Sequence, residues 1–187
     1  MVTEEKNATG SEVGFLDVRN LKKHFPIQKG FLKRTVGAVR AVDDVSFAVN
    51  EGETLGLVGE SGCGKTTLSK IIMRAMTPDG GCIRYNDRGQ SVPLLALNEK
   101  QLVEYRRKIQ FIFQDPFSSL NPRMTVFDII AEPLLTHKRT SNRLQLEQDV
   151  SSLMEKVGLS TRFLRKYPHE FSGGQRQRIA VARALAI

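Results

Sequence analysis

The stretch Gly-Glu-Ser-Gly-Cys-Gly-Lys-Thr-Thr at positions 59–67 constrains this chain more than any other. It fits the phosphate-loop pattern G-x-x-x-x-G-K-[ST], with Gly59, Gly64, Lys65 and Thr66 in the defining places. Its flanks agree with the motif. Residues 54–58, Thr-Leu-Gly-Leu-Val, read as a short buried strand, and residues 67–73 read as a helix. Polyphosphate is anionic and must be stripped of water to be held. Glycines let the backbone approach closely enough for its N–H groups to point inward. A helix N-terminus adds partial positive charge, and Lys65 adds a full one that reaches the outer phosphates. The Thr66 hydroxyl is placed to meet Mg²⁺. The plain alternative is a glycine-rich turn with a solvent lysine, and it leaves the strand–loop–helix register unexplained.

At 187 residues the chain can bury a real core and suits one domain with room for a subdomain. No apolar run is long enough to span a bilayer, and the opening Met-Val-Thr-Glu-Glu-Lys-Asn lacks a signal peptide's apolar core, so a cytoplasmic protein is expected. Two cysteines agree with a reducing compartment. Cys63 lies in the glycine loop, where it reads as a small residue at a permissive position, and Cys82 lies in an expected strand; neither a metal site nor a disulfide is anticipated. The net charge of +8 is spread over clusters at 29–40, 106–108, 138–143 and 162–166. Such charge fits nucleic acid or an anionic membrane surface, or simply solvated faces beside a phosphate site. The last is favoured, because no nucleic-acid-binding module accompanies it.

In order along the chain, residues 1–12 are polar and expected to fray. A first strand is expected at 13–19, broken over 20–26, where Phe25 is presented. Residues 27–40 read as a surface loop or ragged hairpin, and strand character resumes at 41–49. After the loop helix, Thr77-Pro78-Asp79-Gly80-Gly81 forces a stop, followed by a short strand at 82–86. A basic helix at 97–108 starts near Asn98, and a buried strand is expected at 109–113, just before Gln114-Asp115-Pro116. Residues 116–122 do not suit regular structure, and from Thr125 the chain turns helical at 126–135, 143–157 and from Gly174 onward. Residues 179–187 are nearly all apolar, must be buried as a helix, and stop without a polar cap, which is the pattern expected of a truncated chain.

A second motif opens that last helix. In Phe171-Ser172-Gly173-Gly174-Gln175, Ser172 is a good N-cap and the glycines permit close approach of an anion to the helix end. A flexible cap is the commoner meaning of Ser-Gly-Gly-Gln alone, but Gln114 and the phosphate loop upstream strengthen the anion-site reading.

With these motifs in this order the chain resembles the ATP-binding subunits of ABC transporters. Residues 59–67 look like their Walker A, Gln114 like their Q-loop glutamine, and 171–175 like their signature motif, with Phe171 where leucine is usual. The phrases at 21–26, 52–65, 113–116, 119–124 and 167–170, and the basic insertion at 27–40, resemble the oligopeptide/dipeptide importer branch. The resemblance runs from about Val13 to the end.

The resemblance implies an α/β fold: a P-loop NTPase core of the ABC type with an inserted helical subdomain and its C-terminal part missing. The implied organisation is a flexible N-terminus at 1–12 and a partial nucleotide-binding domain at 13–187. Within that domain come an α/β core at 13–124 carrying the phosphate loop and Gln114, a helical subdomain at 125–173, and the signature helix at 174–187. Phe25 would stack on adenine, its rival role being a core phenylalanine at a strand end. Gly59, Gly62, Cys63, Gly64, Lys65, Thr66 and Thr67 would hold the ATP phosphates, and Thr66 and Gln114 would meet Mg²⁺. Ser172, Gly173, Gly174 and Gln175 would close over ATP bound to a second subunit in a head-to-tail dimer, while His169 is structural. The family's Walker B aspartate, catalytic glutamate and switch histidine find no counterpart here, so this chain alone is expected to be inactive.

The function implied is the energy-coupling subunit of a peptide importer at the cytoplasmic face of the membrane. Its partners would be a second ATPase subunit, permease subunits and, indirectly, an extracytoplasmic peptide-binding protein, with no nucleic acid. Two alternatives remain: a soluble ABC-type ATPase of DNA repair, which usually carries long coiled coils or zinc modules between these motifs, and a non-hydrolysing nucleotide-binding fragment.

Overall fold

The computed structural model of the chain describes residues 14–30, 34–115, 119–137 and 142–187. It divides into two compact units, Met1–Glu104 and Tyr105–Ile187.

The first unit is built on an antiparallel sheet of order β2-β1-β3-β4, with β1 Leu16–Lys29, β2 Arg34–Val49, β3 Gly80–Asp87 and β4 Gln90–Pro93. Its core takes Val18 and Leu21 from β1, Val42 from β2 and Ile83 and Tyr85 from β3. Helix α1, Lys65–Ile72, adds Leu68 and Ile71, and α2, Glu99–Lys108, adds Leu102. Full burial of side chains such as these stabilises a fold by roughly 1.5–3 kcal/mol each. Asn98 caps α2 as its position suggests: its Oδ1 accepts the Gln101 N–H at 3.0 Å.

β1 and β2 form a long hairpin running from the pair Leu16↔Val49 to the pair Lys29↔Arg34. The tip, residues 31–33, lies outside the described residues, as do 1–13. The ragged-hairpin reading of 27–40 fits the described part. The expected break at 20–26 does not occur, because the strand absorbs the disturbance in bulges. Register shifts fall between Val18 and Leu21 and between Leu21 and Lys23, and Asn20 takes φ 47°. Pro26 is tolerated because β1 pairs with β3 only as far as Lys22↔Gly80, so the proline's missing N–H falls where, among the described residues, β1 has β2 alone beside it. The sequence reading also missed β4, joined to β3 by the tight turn at Arg88 and Gly89, both at positive φ.

Two further expectations are corrected. Residues 54–58 and 109–113, read as buried strands, join no ladder among the described residues and are largely exposed, Val58 to 93%. A strand exists only where a neighbour supplies hydrogen bonds, and the described sheet ends at β2 and β4.

The second unit is helical. α3 Val126–Thr136, α4 Arg143–Lys156 and α5 Gly173–Ala184 bury Val126, Ile130, Val150, Met154 and Ile179 around one core. Thr125 and Asp128 form a capping box at the start of α3, and Asn142 caps α4. The first N–H groups of α3 are taken by the carbonyls of Lys166 and Leu164, each at 2.9 Å. The apolar tail at 179–187 is only partly a buried helix: Ile179, Ala180 and Ala182 are buried, but α5 ends at Ala184 and Leu185 is exposed. Residues 116–118 and 138–141 lie outside the described residues.

Candidate functional site

In the first unit, residues 59–64 wrap over the start of α1. Gly64 is the N-cap, at φ 98°, and no side chain caps this helix. The Leu68 N–H closes the first turn on the Gly64 carbonyl at 2.9 Å. A Cβ at Gly64 would overlap the backbone carbonyl oxygen of Ala41, so glycine is needed both for the left-handed conformation and for the close approach. Lys65 folds back over the loop. Its Nζ donates to the carbonyls of Gly59 at 2.7 Å and Glu60 at 2.6 Å, and lies 3.4 Å from Cys63 Sγ. A Cβ at Gly59 would come within 2.6 Å of the same sulfur. Thr66 is exposed and Thr67 half-buried at the helix start. Ammonium, exposed hydroxyl and an uncapped helix N-terminus form a donor set that suits a polyphosphate and its divalent cation.

Among the described residues, the part of β1 where Phe25 stands, paired with Val39, has only β2 beside it. At 38% exposure it is not a core phenylalanine. Ala41, against which Gly64 packs, lies between Arg40 and Val42, the β2 partners of His24 and Lys23. The phosphate loop and the aromatic therefore meet neighbouring positions of one hairpin. Charges surround that junction. Lys23 Nζ sits 5.7 Å from the Phe25 ring centroid and donates to Asp79 Oδ1 at 2.8 Å. The His24 N–H donates to Asp79 Oδ2 at 2.6 Å, and the His24 ring meets Asp43 Oδ1 at 3.0 Å. Arg40 Nη1 donates to Asp43 Oδ2 at 3.2 Å. The His24 N–H, then Lys23, hold the Asp79 carboxyl below the usual aspartate range; the His24 side chain, then Arg40, do the same for Asp43. Sequence reasoning singled out Phe25 but missed Lys23, His24, Asp43 and Asp79. The only signal was a charged pair before the aromatic and an aspartate in the 77–81 turn.

In the second unit, Gln114 is exposed directly after the irregular 109–113 segment. Ser172 caps α5 in a reciprocal box: its Oγ accepts the Gln175 N–H at 3.3 Å, and Gln175 Oε1 accepts the Ser172 N–H at 3.1 Å. Gly173 opens the helix, and a Cβ at Gly174 would meet nothing within 4 Å. Phe171, in leucine's place, is buried edge-on to Phe163 with centroids 5.6 Å apart. Arg176 Nε donates to the Phe171 carbonyl at 3.0 Å, and Arg183 Nη1 reaches the Ser119 carbonyl at 2.8 Å. His169 is exposed and stacks on Tyr167. The predicted site residues thus fall into two sets, Phe25 with 59–67 in one unit and Gln114 with 172–175 in the other.

The chain is similar to known proteins. Over 172 residues, 92% of this chain, it is 50% identical to the oligopeptide transport ATP-binding protein AppF of Bacillus subtilis (strain 168) and covers 51% of that protein. It matches OppF of the same organism, also an oligopeptide transport ATP-binding protein, at 50% identity over 92% of this chain and 53% of the relative. The glutathione import ATP-binding protein GsiA of Escherichia coli O157:H7 is 47% identical over 98% of this chain and 29% of its own length. The chain thus spans about half the length of the first two relatives. Among solved structures, a dimeric ATP-binding cassette in a post-hydrolysis state, bound to ADP and Pi, superposes with a TM-score of 0.76 at 28% identity, covering 91% of this chain and 69% of that one. The fold is accordingly that of an ABC cassette within the P-loop NTPases. A family model described as ABC transporter matches residues 42–187, and the chain belongs to that family.

Proposed function

We propose that this chain is the ATP-binding part of a subunit that drives import of peptides across a membrane. The observation that carries the reading is the loop at Gly59–Thr67, with Lys65 folded over it and α1 beginning uncapped behind it. Gly59, Gly62, Cys63 and Gly64 shape the cradle, and Lys65, Thr66 and Thr67 face the phosphates. Phe25 offers its exposed ring to the base. Thr66 would meet Mg²⁺, which would neutralise phosphate charge when bound. Ser172, Gly173, Gly174 and Gln175 face the nucleotide of a second subunit in a head-to-tail dimer; the Ser172 hydroxyl, which accepts the Gln175 N–H in its capping box, keeps its own O–H to donate to a phosphate. Hydrolysis of ATP belongs to the whole protein.

The names of the relatives support oligopeptides as the class moved, with glutathione import at 47% identity a close variant. The remaining partners proposed are permease subunits, docked by the segment from Asp115 to Arg123 and the start of α3, and a peptide-binding protein on the far side. We place the subunit peripherally at the cytoplasmic face, where a subunit that drives import would meet ATP; no helix among the described residues is long and apolar enough to cross a membrane. We assign 13–124 to the nucleotide core, 125–173 to the helical subdomain and 174–187 to the signature helix. The test is uptake of a labelled oligopeptide into vesicles carrying the whole subunit with its permease. ATP-driven uptake that Lys65→Ala abolishes supports the proposal. Uptake unchanged by that substitution, or none with any peptide, contradicts it.

A further inference from the structure

We infer that Asp79 is a positioning residue for the base end of the nucleotide, acting through Lys23 and His24 on Phe25. This rests on the proposed reading of the phosphate loop and of Phe25. β1 is flanked by β3 only as far as the pair Lys22↔Gly80, so among the described residues the strand carrying Phe25 continues with β2 alone. Asp79 immediately precedes β3 and continues its edge with a side chain. Its N–H donates to the Lys22 carbonyl at 2.8 Å, and its carboxylate accepts the His24 N–H at 2.6 Å, as the next strand residue's carbonyl would. The other carboxylate oxygen holds Lys23 Nζ at 2.8 Å, placing the ammonium 5.7 Å from the Phe25 centroid. A cation fixed there orients the ring, whose exposed part is offered to a base. From β2, Asp43 takes the His24 ring at 3.0 Å, so His24 is gripped on both its backbone and its side chain.

Asp79 also ends the connection that leaves α1. The N–H groups of Ala75 and Met76 both return to the Lys70 carbonyl, which keeps that connection tight. One carboxylate thus ties the helix that begins at the phosphate loop to the strand that carries the aromatic. A turn residue of merely structural value would support both ends of a nucleotide alike; a positioning residue for the base affects only ligands that have one.

The test compares ATP with inorganic tripolyphosphate, which has the phosphates and no base, by titration calorimetry on the purified chain with matched circular dichroism. Asp79→Ala is expected to weaken ATP about tenfold, losing both a hydrogen bond and the placed cation, and to leave tripolyphosphate unchanged. Asp79→Asn keeps an acceptor for His24, and Lys23→Met keeps the stem without the charge. Each is expected to weaken ATP about threefold, so either decides the matter if the alanine variant fails to fold. Equal weakening of both ligands, or no change in ATP, overturns the role. Lys65→Ala serves as control: if it leaves tripolyphosphate binding intact, the phosphate-loop reading fails instead.

Discussion

Lys65 faces the carbonyls of its own loop, and Gly64 presses against Ala41, so single atoms set the shape of the cradle. Gly64→Ala would force a Cβ into the Ala41 carbonyl at φ 98°. A loss of about 1–3 kcal/mol is expected in urea unfolding; an unchanged midpoint would contradict the close approach. At the aromatic end, the depressed carboxyls of Asp43 and Asp79 have a defined sign. A group whose folded value is lowered contributes stability above its unfolded value, and that contribution is lost as pH falls through the lowered one. The grip on His24 should therefore persist to lower pH than an ordinary aspartate would allow. Carboxyl-carbon NMR titration should give midpoints for both residues below the ordinary aspartate value; midpoints at or above it would contradict the geometry. Lys65 and the glycines were legible in the sequence because their spacing is itself the chemistry. Asp79 was not, because it reaches His24 across 55 residues.

Helices and strands differed in how plainly the sequence declared them. The helices from Thr125 onward could be read because a helix closes its own hydrogen bonds and its caps lie next to it. Residues 54–58 and 109–113 misled because apolar runs promise a strand while the ladder depends on a distant neighbour. At the start of α5, fold and function separate cleanly. The space beside Gly174 is open, so Gly174→Ala should keep or raise stability by about 0.5–1 kcal/mol. If that helix end faces a partner's nucleotide, the added methyl should still impair ATP-dependent dimerisation, measured by sedimentation in the whole subunit. A variant that dimerises normally would remove the trans role; one that unfolds would contradict the open space.

Across the whole chain, Leu55, Leu57, Val58, Ile112 and Phe113 are apolar, exposed and without ladder partners among the described residues. Such segments favour association. Val58→Lys and Phe113→Lys should each reduce concentration-dependent light scattering of the purified chain, and no change would place the sticky surface elsewhere. The family could be read from the order of its motifs, whereas the transported molecule could not, since the phosphate loop and the signature motif are chemistry for nucleotide. The central claim, that 59–67 holds the phosphates of ATP, is tested most directly by two-dimensional NMR of the labelled chain titrated with Mg·ATP. Amide signals of Gly59, Gly62, Gly64, Lys65 and Thr66 should shift saturably, and the shifts should vanish in Lys65→Ala. Saturable shifts confined to other residues, or persisting in that variant, would contradict it.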